Sequence, residues 1–440
     1  MARAVCIETY GCQMNMRDSE TMAAALLDHG HGVVDGDGAE VFIVNSCSVR
    51  DAAERKVLER LRRLVAGRTG GRFPIVGVAG CMAQRLGADL FDSVPGLNFV
   101  IGTKNFHRVA EVLERVEGGE GQILLTEDCG CIFPPPARDW SQHRPSAFVN
   151  ISTGCPMGCT YCIVPSTRGK ECSRTPEDIL GEVRRLAETG TREVVLLGQI
   201  VNLYGVRRFP FVGGESPFVG LLRSIHAIDG IDRIRFLSPH PCGFHEDLIG
   251  CFSSLPKLVQ AVHLPIQSGS DRILRSMGRG YGREKVLGIL HRLRKEHPLL
   301  SLSTDLIVGF PGETDEDFAA TEQLFDEIDF DMAYIFKFSP RAGTPAAGFP
   351  GQIPEEISAE RNRHLLGRLS ETSLRRNRLF LHTTQDVLAE AVSRKDADVL
   401  VGHDHHGKKV FFRAPPDKIG EILPVTVTDA SVSALIGRAI

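Results

Sequence analysis

The sequence has few of the features that mark a membrane, secreted or nucleic-acid-coating protein. It has no apolar run of about 18 residues that could span a membrane. Its start, MARAVCIETYGC, alternates like a strand and lacks the apolar stretch of a signal peptide. Only one tryptophan occurs in 440 residues, and the net charge of −4 carries no overall signature of nucleic-acid binding. We therefore expect a cytoplasmic, globular protein that contacts any RNA through local basic patches.

The hydrophobic patterning predicts several domains, beginning with an open α/β domain. In residues 1–120, strand-like runs such as VFIV and IVGVA alternate with amphipathic helical stretches. This alternation is typical of βαβ units with a parallel sheet that is buried on both faces. Residues 121–146 break every period and contain three consecutive prolines, which predicts a linker.

Two further domains are predicted after the linker. Residues 147–371 contain six βα units, which indicate a partial (βα)6 barrel with its chemistry at the C-terminal ends of the strands. Two of its helices should begin at Thr175 and Thr314, since each is followed three residues later by an acid that can complete the cap. Residues 372–440 are short strand-like pieces with closely spaced turns, as in a small antiparallel β-barrel.

Cysteine is abundant, with 12 residues, and three of them crowd the stretch GCPMGCTYC directly after the first barrel strand. Clustered cysteines in a reducing compartment indicate metal binding or catalysis. Cys155, Cys159 and Cys162 suit an iron–sulfur cluster, whose irons normally take four cysteines, so that three ligands leave one iron open. Structural zinc and ordinary reduced thiols are the alternatives, although no neighbouring C-x2-C pair would complete a zinc site.

A second trio of cysteines is spread over the first domain. Cys12, Cys47 and Cys81 each follow a predicted strand, in the segments ETYGC, VNSC and VAGC. The C-terminal ends of parallel strands share one edge of a sheet, so these residues can converge at a crevice. This predicts a second three-cysteine site; buried core thiols are the alternative. With a vacancy in each trio, we expect the two openings to face one substrate.

The sequence resembles the methylthiotransferases, a family within the radical S-adenosylmethionine (SAM) superfamily, and the resemblance covers essentially the whole chain. The CxxxCxxC loop is the superfamily's hallmark, and GCQMN, NSCSVR and GCMAQR are similar to the branch that acts on N6-isopentenyladenosine in tRNA. The resemblance implies an N-terminal auxiliary-cluster domain over residues 1–120, a radical SAM core over 147–371 and an RNA-binding TRAM barrel over 372–440.

The resemblance also implies the reaction. A methylthio group would replace the hydrogen on C2 of the isopentenylated adenosine at position 37, next to the tRNA anticodon. Two [4Fe-4S] clusters would be held by the two cysteine trios; one would cleave SAM to a carbon radical and the auxiliary one would carry the sulfur. The implied partners are the tRNA anticodon stem-loop, a low-potential electron donor such as flavodoxin or ferredoxin, and sulfur and cluster supply proteins. Sister branches that modify threonylcarbamoyladenosine in tRNA or a ribosomal protein are the alternative.

Further candidate site residues lie at or near the ends of barrel strands. By position and resemblance they would contact the adenosyl or methionine part of SAM, although capping and turn formation also explain such residues. A surface ion pair is the rival interpretation for the arginine, which follows the cluster loop. The predicted SAM-binding residues are Gln199, Gln267, Ser268, Asp305 and Arg168.

The remaining motifs are weaker. The basic candidates for RNA contact are the helix at 54–68, the LRRNR stretch at 374–378 and the terminal barrel. His403, His405 and His406 could form a metal site, but an exposed turn without one is the favoured interpretation. Cys129 and Cys131 are interpreted as free thiols, and no partner pattern is visible for Cys6, Cys172, Cys242 and Cys251.

Overall fold

The computed structural model describes residues 2–36, 38–48, 51–67, 74–133 and 144–440, without the side chains of 51–53. The three prolines of the predicted linker lie outside these ranges. The chain divides into two units. The first unit comprises Met1–Trp140, Thr153–Met157 and Ile163–Cys172, and the second comprises Ser141–Ser152, Gly158–Cys162 and Ser173–Ile440.

The first unit is built on a six-stranded, wholly parallel sheet with the strand order β2-β1-β3-β4-β5-β6. Its strands are β1 (Ala4–Tyr10), β2 (Gly32–Val33), β3 (Val41–Ser46), β4 (Ile75–Gly80), β5 (Phe99–Ile101) and β6 (Ile123–Leu125). Its helices are α1 (Gln13–Asp28), α2 (Asp51–Ala66), α3 (Cys81–Leu86), α4 (Asp89–Ser93) and α5 (Val109–Glu117). The open parallel α/β domain is confirmed, and the apolar run ILL adds β6 from the segment predicted as linker.

Both faces of this sheet are buried, which explains its continuous apolar strands. Side chains alternate across a strand, so Ile43 packs in the cluster that contains Met22 of α1 and Val112 of α5. The next residue, Val44, packs on the other side with Leu61 of α2. Such a sheet exposes only its edges and strand ends, and its chemistry is therefore confined to them.

The second unit begins with six parallel barrel strands in chain order. They form two three-stranded sheets, β11-β10-β7 and β12-β13-β14, joined by the hydrogen bond from the Val259 N–H to the Ile234 carbonyl at 2.9 Å. The barrel strands are β7 (Ser146–Asn150), β10 (Glu193–Leu197), β11 (Arg233–Phe236), β12 (Ala261–His263), β13 (Ser301–Val308) and β14 (Met332–Lys337). Between β7 and β10 the chain passes through β8 (Ser152–Thr153), α6 (Val164–Arg168) and β9 (Cys172–Ser173).

Helices connect the barrel strands, as predicted for a partial (βα)6 barrel. They are α7 (Pro176–Glu188), α8 (Pro217–His226), α9 (Glu246–Ser254), α10 (Asp271–Ser276), α11 (Arg283–Glu296) and α12 (Asp315–Glu327). Both predicted caps are present: Thr175 Oγ1 accepts from the Asp178 N–H at 3.3 Å and Thr314 Oγ1 from the Asp317 N–H at 3.4 Å.

The chain ends in a long helix and a small closed barrel. These elements are α13 (Glu355–Arg378), β15 (Thr384–Val392), β16 (Val399–Asp404), β17 (Lys409–Arg413), β18 (Ile422–Ala430) and β19 (Leu435–Ala439). The barrel order is β15-β16-β17-β19-β18. The predicted β-barrel is confirmed, although β17 and β19 pair in parallel. The predicted boundary between residues 371 and 372 falls inside α13.

Buried polar contacts hold the terminal barrel against the rest of the second unit. Lys408 Nζ lies 2.5 Å from Asp331 Oδ1 and 2.7 Å from Asn377 Oδ1. Arg233 of β11 donates to the carbonyl of His403 at 2.6 Å. Among the helices in the described ranges, none combines the length and hydropathy that a membrane span needs.

Candidate functional site

Three neighbouring strands of the first unit end together and place the scattered cysteine trio at one sheet edge. The register pairs Tyr10 with Ser46 and Ser46 with Gly80. Cys47 and Cys81 are the next residues after β3 and β4, and Cys12 caps α1 two residues after β1. The Cys47 N–H donates to the Tyr10 carbonyl at 2.9 Å. The strand ends therefore bring the three cysteines to one edge, as the spacing predicted.

Two buried asparagines brace this edge, and the sequence interpretation missed both. Asn15 Oδ1 accepts from the backbone N–H of Cys12 at 3.2 Å, and its Nδ2 donates to the Ser46 carbonyl at 3.2 Å. Asn45 Nδ2 donates in turn to the Asn15 carbonyl at 2.8 Å. Both asparagines are fully buried, so these bonds are not exchanged with water. The loop after β1 is thereby tied to the end of β3.

Gly80 shows how tightly the edge is built. It has a φ of 98°, and a Cβ atom at this position would collide with the backbone of Ser46 and the side chain of Asn45. Only glycine meets both conditions without strain. Glycine thus allows β4 to turn directly into α3, whose first residue is Cys81.

Arg168 forms a buried ion pair within the first unit. Its guanidinium makes two bonds to Asp18 of α1, at 3.2 Å to Oδ1 and 2.6 Å to Oδ2, and both side chains are less than 8% exposed. The surface ion pair considered for Arg168 is therefore wrong, because the pair is buried. No local pattern points to Asp18, which lies 150 positions away in the sequence. Its predicted contact with SAM stays a prediction.

The same guanidinium acts on a cysteine of the trio. Burial raises the pKa of the Cys81 thiol above its ordinary value, and the charge and hydrogen bond of Arg168 act in the opposite direction. Burial also raises the pKa of Asp18, against the opposing charge of Arg168. A thiolate is the form that binds iron, so Arg168 favours the ligating form of Cys81.

Cys155, Cys159 and Cys162 lie in one loop; Cys155 belongs to the first unit, and Cys159 and Cys162 belong to the second. Within the first unit, the Cys155 N–H donates to the Gly169 carbonyl at 3.1 Å, and Gly154 has a φ of 78° in a place where a Cβ would collide with the Lys170 backbone. Within the second unit, the Cys162 N–H donates to the Cys159 carbonyl at 3.1 Å. This irregular backbone matches the loop expected from the glycines. The convergence of all three sulfurs on one cluster stays a prediction.

The predicted SAM-binding residues of the second unit occupy different environments. Gln267 follows β12 with a left-handed φ of 80°, unusual outside glycine and frequent at functional sites. Asp305 lies within β13, with Oδ2 3.4 Å from Nε2 of His263. Ser268 is fully buried and accepts from the Ser270 N–H at 3.2 Å, in the manner of a turn residue. Their contacts with SAM remain predictions.

Three adjacent barrel strands end in buried polar atoms that have no hydrogen-bond partner among the described residues. These atoms are Oδ1 of Asn150 at the end of β7, Oε1 of Gln199 after β10 and Nε2 of His240 after β11. An unsatisfied buried polar atom costs free energy in a folded protein and so indicates a missing ligand or water. Only Gln199 was predicted from the sequence; the available signal for the other two was a polar residue at the end of β7 and another shortly after β11.

His240 is a hydrogen-bond donor at this edge. Burial lowers the pKa of its imidazole to about 3, with further contributions from Arg279 and Lys285, so the ring is neutral at physiological pH. Its Nδ1 accepts from the Cys242 N–H at 3.2 Å, which leaves the hydrogen on Nε2. The strand ends thus offer one donor and two acceptors, as a polar cofactor with amino, carboxylate and hydroxyl groups requires.

The side chains that could act as ligands fit the expected iron–sulfur clusters and SAM. Among the described residues, no three or more His, Cys, Asp or Glu side chains converge closely enough for a single metal ion. A four-iron cluster is wider than an ion, and its cysteine ligands stand further apart. The strand-end cysteines of the first unit suit a cluster better than a single ion, and the polar atoms at the barrel strand ends of the second unit suit SAM.

One prediction about the other cysteines is wrong. Cys129 is a free thiol, as expected, but Cys131 is joined to Cys172 in a disulfide with Cα atoms 6.0 Å apart. This separation lies in the ordinary range for disulfides. The pairing was missed because 41 positions separate the two residues and the C-x-C pattern around Cys131 points to no distant partner.

Several basic side chains predicted to contact RNA are instead buried or bound to carboxylates of the protein itself. Arg376 of the LRRNR stretch is buried and donates from Nε to Asp331 at 3.3 Å, whereas Arg378 is exposed. Lys408 of the terminal barrel is buried as well. In α2, Arg60 donates from Nε to Glu8 Oε2 at 2.9 Å. Fewer free cations are therefore left for phosphate contacts than the sequence suggested.

A parallel partial barrel with a CxxxCxxC loop after its first strand defines a radical SAM enzyme. Comparison with protein-family models agrees: the Radical SAM superfamily matches residues 149–325, the TRAM domain matches residues 378–440, and the model described as "Uncharacterized protein family UPF0004" matches residues 4–102. Along the chain, the three matches fall in turn on the parallel sheet of the first unit, the barrel strands of the second unit and the terminal barrel.

Curated relatives identify the family within this superfamily. A protein of Opitutus terrae is 43% identical over 463 residues, covering 98% of this chain and 96% of its own, and one of Akkermansia muciniphila is 43% identical over 447 residues, covering 98% and 97%. A Vibrio cholerae protein is 39% identical over 445 residues, covering 100% and 92%. All three are named tRNA-2-methylthio-N(6)-dimethylallyladenosine synthase. The chain belongs to this family.

Solved structures show the same fold at low identity. The radical SAM methyltransferase TsrM from Kitasatospora setae, with cobalamin and a [4Fe-4S] cluster bound, superposes with a TM-score of 0.56 at 16% identity, covering 79% of this chain and 77% of its own. The cobalamin-dependent radical enzyme OxsB gives 0.52 at 12% identity, covering 83% and 56%. These similarities support the architecture of the fold alone.

Proposed function

We propose that this protein transfers a methylthio group to C2 of N6-isopentenyladenosine at position 37 of tRNA, giving 2-methylthio-N6-isopentenyladenosine. The observation that carries the proposal is the placement of Cys12, Cys47 and Cys81 at one sheet edge of the N-terminal domain. A radical SAM enzyme needs only one cluster to begin radical chemistry. A second thiol trio supports a reaction that also delivers sulfur, as the name of the relatives states.

In this proposal the six cysteines are the cluster ligands. Cys155, Cys159 and Cys162 would hold the cluster that binds SAM, and the strand-end trio would hold the auxiliary cluster. When bound, these groups supply one-electron chemistry, a methyl group and sulfur, which a heteroaromatic C–H requires because it is neither acidic nor electrophilic enough for acid–base catalysis.

The protein's own residues bind and orient. Asn150 Oδ1 and Gln199 Oε1 would accept hydrogen bonds from amino or hydroxyl groups of SAM, and the neutral His240 would donate one from Nε2. The Asn15 and Asn45 amides keep the auxiliary trio in place, and the charge of Arg168 favours the thiolate of Cys81 against the effect of burial, which raises the pKa of that thiol. Fixed positions of this kind lower the entropic barrier to reaction between bound groups.

The wider setting follows from this chemistry. We propose that the tRNA is engaged through its anticodon stem-loop and that the work takes place in the cytoplasm, where tRNA is modified. A low-potential donor such as flavodoxin or ferredoxin would supply electrons, and sulfur and cluster supply proteins would restore the auxiliary site. The sulfur removed from the auxiliary cluster in each turnover has to be replaced, and sulfur and cluster supply proteins would replace it.

Anaerobic reconstitution and nucleoside analysis test the proposal. The wild-type chain should bind about eight irons, as two four-iron clusters. A Cys155→Ala, Cys159→Ala, Cys162→Ala variant should keep about half of them and produce no 5′-deoxyadenosine from SAM, whereas the matching Cys12, Cys47 and Cys81 variant should keep half and still cleave SAM. tRNA from cells without the protein should lack the methylthio group on isopentenyladenosine. A change confined to the threonylcarbamoyl derivative would contradict the proposal.

A further inference from the structure

Arg279 is a buried cation beside a cysteine of the cluster loop. Its side chain is 8% exposed and lies in a turn after α10, between two glycines with left-handed φ values. It donates from Nε to the Tyr281 hydroxyl at 2.8 Å and from Nη2 to the Pro265 carbonyl at 3.2 Å. Its Nη1 lies 3.4 Å from Cys159 Sγ and 3.5 Å from the Tyr161 hydroxyl. The guanidinium is therefore aimed at the sulfur of Cys159.

No carboxylate among the described residues forms an ion pair or hydrogen bond with Arg279, in contrast to other buried arginines of the second unit. These are paired as Arg174 with Glu182, Arg361 with Glu313 and Arg376 with Asp331. Arg233 bonds only to carbonyls, yet acidic side chains surround it at longer range. The electrostatic neighbours of Arg279 are instead Tyr161, Tyr281 and Cys159.

A buried charge is retained in a folded protein when an opposite charge compensates its lost hydration. The hydroxyls of both tyrosines are uncharged at physiological pH, because the ordinary pKa of tyrosine is about 10. Among Tyr161, Tyr281 and Cys159, the sulfur of Cys159 is then the neighbour that becomes anionic when it binds iron. A cluster with thiolate ligands carries net negative charge, so the missing counter-ion and the expected cluster coincide.

We propose that Arg279 is the positioning and tuning residue of the SAM-binding cluster: it directs the Cys159 sulfur and supplies the positive charge that makes the cluster easier to reduce. This inference rests on the proposed function for the cluster itself. Hydrogen bonds to ligand sulfurs and nearby charge are the means by which proteins set cluster potentials. A fixed cation stabilises the more negative, reduced state, which is the state that passes an electron to SAM.

The alternative role is purely structural. The bonds of Arg279 to Tyr281 and Pro265 would serve equally well to hold the turn after α10, with Cys159 as a passive neighbour. Charge and shape separate the two roles. Arg279→Lys keeps the charge and loses the planar fork, Arg279→Gln loses the charge, and Arg275→Gln removes a charge from an exposed arginine four residues earlier.

The experiment measures the cluster in the full-length, anaerobically reconstituted protein. Iron is counted per chain, and the reduced cluster is followed by electron paramagnetic resonance at fixed potentials, with the SAM-binding cluster identified by the change in its signal on adding SAM. At the wild-type midpoint, Arg279→Gln should lower the ratio of reduced to oxidised cluster about tenfold, equivalent to 59 mV for a one-electron couple. Arg279→Lys should stay within about threefold of wild type, and Arg275→Gln should match it.

Each outcome decides the matter. The proposal is overturned if the cluster of Arg279→Gln, with full iron content, is reduced to the same extent as that of the wild type. It is also overturned if the cluster of Arg279→Lys is as hard to reduce as that of Arg279→Gln. If Arg279→Gln loses half the iron, retention of that iron in Arg279→Lys supports the role of charge, and its loss in both variants overturns it. Absence of clusters from the wild type would refute the proposed function instead, and this result is distinguishable because it needs no Arg279 variant.

Discussion

Replacing Asp18 with asparagine should destabilise the first unit strongly, since it removes the carboxylate that is bound to the buried cation of Arg168. Both side chains are less than 8% exposed and are joined by two bonds of 2.6 and 3.2 Å. Removing one partner of such a pair costs roughly 3 to 5 kcal/mol, because the remaining charge stays uncompensated. We expect a loss of about this size from Asp18→Asn.

Hydrogen–deuterium exchange of α1 and α6 under anaerobic conditions measures this loss locally, which is necessary because a chain of several domains has no single unfolding free energy. A loss of 3 kcal/mol or more lowers the protection of the slowest amides by at least about 100-fold. The matched control is Arg115→Gln on α5, which breaks the exposed pair of Arg115 with Glu120 and should leave the protection within about threefold of wild type.

A double variant, Asp18→Asn with Arg168→Gln, tests the stated cause. If the uncompensated charge is responsible, removing it restores part of the protection, so the double variant should be more stable than Asp18→Asn alone. Protection in Asp18→Asn within about threefold of wild type would refute the reasoning. Additive losses in the double variant would show that the two residues act independently.

Three further predictions concern other parts of the chain. Cys131→Ser should abolish the cross-link to Cys172, seen by peptide mapping without reductant, and lower stability by about 4 kcal/mol in the chain-entropy model for a 41-residue separation. Burial raises the pKa of Asp404 to about 6, so the folded barrel takes up a proton that the unfolded chain binds only near pH 4. Exchange protection of β16 and β17 should therefore rise by roughly 1 kcal/mol between pH 7 and pH 5 in the wild type but not in Asp404→Asn, and the full effect of roughly 3 kcal/mol is reached only below about pH 4. Arg378→Ala should weaken tRNA binding at all sequences and reduce the salt slope by about one, measured by titration at several salt concentrations.

Each of these predictions has a contradicting result. Free, alkylatable thiols at Cys131 and Cys172 in protein purified with a thiol-blocking reagent would exclude the cross-link, with Cys129 as the thiol expected to react in either case. Identical pH profiles for wild type and Asp404→Asn would show that the carboxyl is not the titrating group. An equal effect of Arg363→Ala, on the same helix, would show that Arg378 makes no particular phosphate contact.

Short sequence motifs allowed much of the site to be predicted. CxxxCxxC is a loop motif whose ligands lie within eight residues, and VNSC and VAGC place each cysteine directly after its own strand. Strand periodicity and the rule that parallel strand ends share an edge then bring Cys47 and Cys81 together without knowledge of any side-chain contact. The capped helices at Thr175 and Thr314 were predicted for the same reason, because the cap and its acid are three residues apart.

The sequence by itself determined the order of domains, the two cysteine trios and the family, since each depends on residues close together in the chain or on the register of parallel strands. Only the tertiary structure decided which distant residues are paired. Asp18 meets Arg168, Cys131 meets Cys172, and Arg279 reaches Cys159 from 120 positions away. Such pairs leave no periodic trace in a single sequence, because their residues come together only when the elements pack.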